Sequence, residues 1–343
     1  MPDTGMPNLK NQTREKYRRV QKNTLELTLE RLLKLYKEST GHPGNLIRLA
    51  IKPRWITVLG SNNECGIATN FTGIHDAAHG DRTDNFKFLD LVGKTLFEIA
   101  DRGIHATDLQ ERSIGIAALS ALSQQFLGSS AIRERGFLAR GWMPGDKLVQ
   151  QYPTLSRLVT KNDIVAIVGY GDEVRNLRGR CRELHVTNIR PQETFETVII
   201  EKGITYGPRD FIVHAEKENE KVLAAADVVI ITASTLVNGM FEDLMKYTRK
   251  ARLVGLFGPC GSLIPDVFFE RGIDFITSFR IVDPVRFSDD MLNDHDMEFS
   301  LRTTQKQYMF MRPLAKTRGT PIQKMLRQAL YISEQVLPDI RYN

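Results

Sequence analysis

The stretch VVIITASTLVNGMFEDLM, Val228 to Met245, decides how this chain is read. Its first residues are β-branched and apolar, as in a strand buried on both faces. From Phe241 onward, Leu244, Met245 and Thr248 recur at the spacing of one helix face. Ser234, Thr235, Asn238 and Gly239 lie between the two. Such residues cap helices. They also place hydroxyls, an amide and free backbone N–H groups where a carboxylate, phosphate or carbonyl oxygen can bind. Both readings stay open at this point.

The same rhythm extends outward. DIVAIVGYG from Asp163, ELHVTNIRP from Glu183, RLVGLFGP from Arg252 and FITSFRIVD from Phe275 are short apolar runs that end in turn or polar residues. The helical candidates VNGMFEDLMKYTRKA and GSLIPDVFFERG fall between them. This alternation predicts a parallel sheet covered by helices, with ligands beyond the carboxyl ends of its strands. Gly169, Gly258 and Pro259 stand at two of those ends.

The amino-terminal part reads differently. Leucines at 25, 29, 32 and 33 predict a helix over about residues 14–37. WITVLG and CGIATNF predict a hairpin through Asn63 and Glu64. Two helices are expected across FLDLVGKTLFEIA and LQERSIGIAALSALSQQFLG. In the second, Gly115, Ala117, Ala118 and Ala121 permit close approach of a neighbour. The expected order is a flexible segment 1–13, an α+β domain 14–145, an α/β domain with a parallel sheet 146–300, and a C-terminal extension 301–343 holding a strand and the helix PIQKMLRQALYISEQVL.

IVGYGDEV, Ile167 to Val174, is a strand followed by a glycine turn, but Val174 stands where a dinucleotide fingerprint needs glycine. Asp172 brings negative charge near the prospective phosphate site, and Asn188 replaces the ribose-binding acid at the next strand end. A nicotinamide cofactor is therefore disfavoured.

ITASTLVNGMFEDLM with LVGLFGPCGSLIPDVFFERGIDFI, and RWITVLGSNNECGIATNF with LQERSIGIAALSAL, resemble the family labelled putative heavy-metal chelation. The likeness spans roughly residues 20–285. It implies an enolase-N-terminal-like domain fused to a Rossmann-like domain, with a site between them. Carried onto this sequence, the resemblance implies roles for Glu111 with Arg112, for Gly169, for Thr235 and Asn238, and for Gly258 and Pro259. Ser120 stands where an asparagine is more common. In such a cleft Glu111 would bind an amine or metal and act as a base, Arg112 would orient a carboxylate or phosphate, and Tyr170 would stack on a ligand or donate a proton. Asn63 and Glu64 would add a polar wall.

Composition narrows the choice. The chain has 343 residues, 41% hydrophobic and 26% charged, with 47 Lys and Arg against 41 Asp and Glu. A formal charge of +6 dispersed among acids fits an anionic small molecule and indicates no specific nucleic-acid partner. Cys65, Cys181 and Cys260 form no CxxC unit, so neither a disulfide framework nor an all-cysteine zinc site is expected. The start MPDTGMPNLKNQ lacks an apolar secretion core, and no run approaches a membrane span. A cytoplasmic location is the expectation. The metal candidates are His75 and His79, four residues apart in IHDAAHG, with weaker suggestions at His295 and Cys260.

There is no GxSxG elbow, P-loop or HExxH helix. Three function classes follow: a protein binding a small molecule or metal chelate between its domains; a biosynthetic enzyme transforming an anionic or amino-acid-like metabolite with a divalent metal or adenosyl cofactor; or a non-catalytic oligomeric scaffold. The first is preferred, as a homo-oligomer.

Overall fold

Asn23 and Glu26 start the first helix with a reciprocal capping box. The Asn23 side chain accepts from Glu26 N at 3.0 Å, and the Glu26 carboxylate from Asn23 N at 2.6 Å. The computed structural model describes residues 22–71, 85–142, 158–189, 210–293 and 304–312. The segment 1–13, His75, His79, His295 and the expected C-terminal helix lie outside the described residues.

Helix α1 (Thr24–Glu38) buries Leu25, Leu29, Leu32 and Tyr36. Strands β1 (Leu46–Ile51), β2 (Trp55–Gly60) and β3 (Cys65–Thr69) form an antiparallel sheet in that order. The hairpin is as expected, with Trp55 opposite Thr69 and Leu59 opposite Cys65. Its turn passes through Asn63 at φ 61°. Strand β1 was hidden in the sequence because an irregularity between Leu46 and Arg48 breaks its alternation.

FLDLVGKTLFEIA is not one helix. A 3₁₀ segment (Asn85–Leu91) ends before Gly93, at φ 87°, and helix α2 (Leu96–Ile104) begins at a new capping box between Thr95 and Glu98. Helix α3 (Leu109–Ser123) starts on Asp108, which accepts from Glu111 N at 2.8 Å, and is buried without interruption from Ser113 to Ser123. A helix apolar all round must have neighbours all round. Here the small residues do what the sequence foresaw. A Cβ added to Gly115 would lie 2.5 Å from Gly103 Cα of α2, and one added to Gly66 would lie 2.1 Å from Ala117 O.

The chain continues through α4 (Ser129–Glu134), β4 (Leu138–Trp142), β5 (Ile164–Val168), α5 (Asp172–Leu177), β6 (Glu183–Asn188), β7 (Ile212–Ala215), α6 (Asn219–Ala225), β8 (Val228–Thr232) and α7 (Phe241–Tyr247). Then come β9 (Leu253–Phe257), α8 (Asp266–Glu270), β10 (Phe275–Ile281), α9 (Pro284–Leu292) and β11 (Gln305–Met311). The large sheet has the order β4-β11-β10-β9-β8-β5-β6-β7. Strands β5 to β10 are parallel, and β11 runs antiparallel to both β10 and β4. The fold is mixed α/β, with a parallel-rich eight-stranded sheet and a small antiparallel one.

One apolar cluster joins the two sheets, uniting Leu32, Ile116 and Leu119 with Ile231, Leu256 and Phe268. Each such side chain contributes roughly 1.5–3 kcal/mol on burial. Polar stitches fix the register. Gln124 Nε2 donates to Ser262 Oγ at 3.0 Å, and its Oε1 accepts from Ile281 N at 3.0 Å. At the foot of the large sheet, Asp163 accepts from Arg252 Nε at 2.9 Å and from Thr160 N at 2.5 Å. Burial pushes the Asp163 carboxyl up, but those bonds outweigh it and hold the group below the usual carboxylate range.

Two outcomes follow. Gly115→Ala should lower stability by up to about 3 kcal/mol, read from urea midpoints, because the obstructing atoms are backbone. Asp163→Asn should cost about 2 kcal/mol at neutral pH, discounted from the fully buried case. The folded pKa is depressed, so this stabilisation is present above the unfolded carboxyl pKa of about 3.9 and lost as pH falls through the folded value. The variant should accordingly lose less stability than wild type when titrated into acid.

Candidate functional site

The order of the parallel strands reverses between β5 and β8, so their following loops diverge and leave a crevice. The end of the small sheet closes it. The resulting cavity of about 160 Å³ is walled by Arg54, Trp55, Thr69 and Phe71 on one side. Gly169, Tyr170, Thr187, Ser234, Thr235 and Asn238 line the other. A groove of about 670 Å³ adjoins it and shares Asn188, Ile189, Glu216, Asn219 and Met240.

Gly169 permits this geometry. It leaves β5 at φ 93°, and a Cβ there would stand 2.9 Å from Thr232 Cγ2. Its N–H donates to Thr187 O at 2.8 Å, holding the exits of β5 and β6 together.

The loop after β8 divides its polar groups between structure and cavity. Thr235 Oγ1 donates to Thr232 O at 2.7 Å, so its hydroxyl proton is committed locally. Ser234 Oγ lies 3.1 Å from Thr69 Oγ1, which lies 3.3 Å from Cys260 Sγ. Thr69 N donates to the same sulfur at 3.1 Å. This chain seams the two sheets at the cavity wall. Burial pushes the Cys260 thiol up, keeping it protonated at neutral pH. Helix α7 starts only at Phe241, later than the sequence implied. Asn238 Oδ1 accepts from Met240 N at 3.2 Å ahead of that start.

Other expected site residues stand apart from the cavity lining. Glu111 pairs with Arg102, which also reaches Asp90 at 3.0 Å, in a network on the outside of α2 and α3. Arg112 extends beneath the loop after β8. A Cβ on Gly239 would be 3.7 Å from its Nη1, and its buried Nε has no partner among the described residues. Desolvation lowers the Arg112 pKa. Asn63 and Glu64 sit at the opposite end of the hairpin from Trp55 and Thr69. Glu64 there accepts from Gly44 N at 2.7 Å and Asn62 N at 3.0 Å, stitching the turn. Gly258 and Pro259 shape the 3₁₀ turn Pro259–Gly261 that carries Cys260 beneath Thr69. His75 and His79 fall outside the described residues. Among those described, no three His, Cys, Asp or Glu side chains are grouped to hold a metal ion.

Sequence reading missed Thr187 and Asn219. Thr187 is fully buried and Asn219 is 6% exposed, yet Thr187 Oγ1 and Asn219 Oδ1 have no hydrogen-bond partner among the described residues. Both residues line the cavity. The signal for Thr187 was present, as a hydroxyl closing the apolar run ELHV. Asn219 lies in the charged stretch KENEK, where nothing marks it.

Residues 36–123 and 154–310 match two family models, each described as "Putative heavy-metal chelation". The two matched segments together take in more than two thirds of the chain. It resembles a DUF364-family protein of unknown function from Pyrococcus horikoshii at TM-score 0.58 and 20% identity, covering 84% of this chain and 99% of that one. A DUF364-family protein of unknown function from Desulfitobacterium hafniense gives 0.57 and 18%, covering 82% and 98%. These two likenesses show the fold alone. An uncharacterized protein of Methanocaldococcus jannaschii is 23% identical over 233 residues, 67% of this chain and 76% of its own length.

Gly169→Ala should lower the urea midpoint by an amount equivalent to about 2 kcal/mol, since left-handed backbone and a short contact to Thr232 act together.

Proposed function

We propose that this chain binds a small polar molecule or metal chelate in the cavity between the end of the β2–β3 hairpin and the carboxyl ends of β5, β6 and β8. The observation that carries this reading is the pair of buried atoms Thr187 Oγ1 and Asn219 Oδ1, which have no hydrogen-bond partner among the described residues. Leaving such a group dry and unpaired costs about 1–3 kcal/mol, and a turn of either side chain toward the cavity it lines would let a ligand's polar atoms offset that cost. Trp55 and Tyr170 add aromatic walls, and the Arg54 guanidinium carbon lies 5.4 Å from the Trp55 ring centroid, bringing positive charge to the rim.

The family description favours a chelate among the possible ligands. A preformed chelate brings its own metal donors, so its binding protein needs polar and aromatic contacts to the ligand periphery. The adjoining groove gives room for a ligand larger than the cavity. The sequential strand order third, second, first, fourth, fifth, sixth supports a Rossmann-like character for the parallel sheet. The antiparallel hairpin followed by the α2–α3 pair is compatible with the enolase-N-terminal-like reading.

Native mass spectrometry of gently purified protein, paired with denaturing extraction, tests the proposal. Wild type should release an organic or metal-containing species, or show concentration-dependent thermal shifts with small carboxylates, phosphates or nickel chelates. The Thr187→Val, Asn219→Leu double variant should fold with equal or greater stability and lose that binding at least tenfold. Retention of the same molecule by this variant and by Ser234→Trp would refute the assignment. A wild type with neither retained mass nor any shift would also sink it.

A further inference from the structure

A second constellation lies on the β6–β7 edge of the large sheet, beside the cavity wall. His185 of β6 and His214 of β7 are diagonal neighbours on one sheet face, because Thr187 pairs with His214 and His185 pairs with Ile212. Their rings are tilted by 30° with centroids 5.1 Å apart. His185 Nδ1 faces His214 Nε2 at 2.9 Å. The remaining ring nitrogens each meet a carboxylate: His185 Nε2 lies 3.1 Å from Glu183 Oε2, and His214 Nδ1 lies 3.6 Å from Glu218 Oε2. The histidine side chains are only 16% and 18% exposed.

We propose that His185 and His214 form a two-imidazole site for a borderline transition-metal ion such as Zn(II), with Glu183 and Glu218 orienting the ligand rings. Metal-binding histidines usually turn one nitrogen to the ion and donate the other N–H to a carboxylate or carbonyl. His185 is set up in that way through Glu183, Glu218 stands 3.6 Å from the outer nitrogen of His214, just beyond hydrogen-bond reach, and the inward nitrogens face each other at 2.9 Å. Two nitrogens at about 2.0–2.1 Å from a tetrahedral zinc ion stand roughly 3.4 Å apart, so the pair must open by only about half an ångström. His214 sits on the four-residue strand β7, which among the described residues is paired on one side only.

Proton accounting agrees with this arrangement. Two neutral imidazoles carry two N–H protons, enough to satisfy both carboxylates while presenting two lone pairs inward. Binding to the neutral pair therefore needs a tautomer shift on one ring and no net proton release. In acid a third proton would compete with the metal for the gap. The titratable groups around His214 are Glu218 from the 3₁₀ turn Glu216–Glu218 and Lys221 from α6, together with His185 itself. Burial, followed by the His185 neighbour, moves the His214 pKa down, which favours the neutral ligand form. The remaining coordination positions would be filled by water or by a metal-bound small molecule. None of Glu183, His185, His214 and Glu218 lines the cavity or its groove, although His214 pairs with the cavity residue Thr187, so substitutions at the two histidines distinguish this site from the proposed ligand cavity.

The test is calorimetric titration of the full, chelator-stripped chain with Zn(II) alone at pH 7.5, with native mass spectrometry for stoichiometry. One zinc ion per chain is expected, with no response to Mg(II), since imidazole does not suit that hard cation. His185→Gln and His214→Gln should each weaken binding by at least tenfold. Glu218→Gln should weaken it about tenfold, the lower end for a supporting carboxylate. The His75→Gln, His79→Gln double variant should bind as wild type does. Zinc should also perturb the ring NMR signals of both histidines in the unsubstituted chain, a readout that does not depend on any variant folding. Absence of zinc binding by wild type overturns the proposal. So does undiminished binding in His185→Gln and His214→Gln, or loss confined to the His75 and His79 variant.

Discussion

The constraint on which the structure depends is the close packing of helix α3, buried from Ser113 to Ser123. Gly115 meets Gly103 of α2 on one side, and Ala117 and Ala121 meet Gly66 of β3 on another, with no room for an added side chain at any of these glycines. Backbone contact of this kind fixes distances more tightly than flexible side chains do. The small sheet is thereby set at a definite depth against the helix. Gln124, immediately after α3, extends that placement to Ser262 and Ile281 of the large-sheet half.

The cavity is a consequence of this placement. The hairpin end carrying Trp55 and Thr69 is held beside the loop after β8 by the Thr69, Ser234 and Cys260 contacts. On the opposite wall, β5 and β8 part company at Gly169 and Thr232, leaving the cavity near the point where strand order reverses. Polar groups in and behind the wall include two contrasting sets. Thr235, Thr69 and Cys260 satisfy one another or nearby backbone, and their first role is architectural. Thr187 Oγ1 and Asn219 Oδ1 are buried without such partners among the described residues.

Electrostatics separates the same sites. Glu111 is committed to Arg102, and Glu64 to the turn that it closes. Arg112, by contrast, is half-buried close to Gly239, with a buried Nε that no described residue satisfies. The imidazole pair of His185 and His214 is a third pattern, two like groups that meet at their ring nitrogens and are backed by acids at both outer ends. Glu111, Glu64, Arg112 and the imidazole pair thus stand in separate neighbourhoods, and sequence adjacency gave little guide to their tasks.

Much of the architecture was legible in the sequence. Apolar β-branched runs ending in polar turns specified the parallel strands, because a strand covered on both faces must be apolar throughout. The hairpin and the small residues of α3 were readable for similar local reasons. Strand β1 was hidden by its irregular register, and the Thr95 capping box ended one expected helix before another began. The sequence also marked Gly169, Ser234, Thr235 and Asn238 as neighbours of a cavity, since strand-end residues must gather at one edge of a parallel sheet. It could not tell that Glu111 would turn outward, that Glu64 would be used up in a turn, or that Thr187 Oγ1 and Asn219 Oδ1 would find no partner among the described residues. Nor could it bring His185 to His214 across 29 positions. Periodicity determines which residues share an element and a face; which polar atoms find partners, and which remain open to a ligand or an ion, is decided only when distant elements pack.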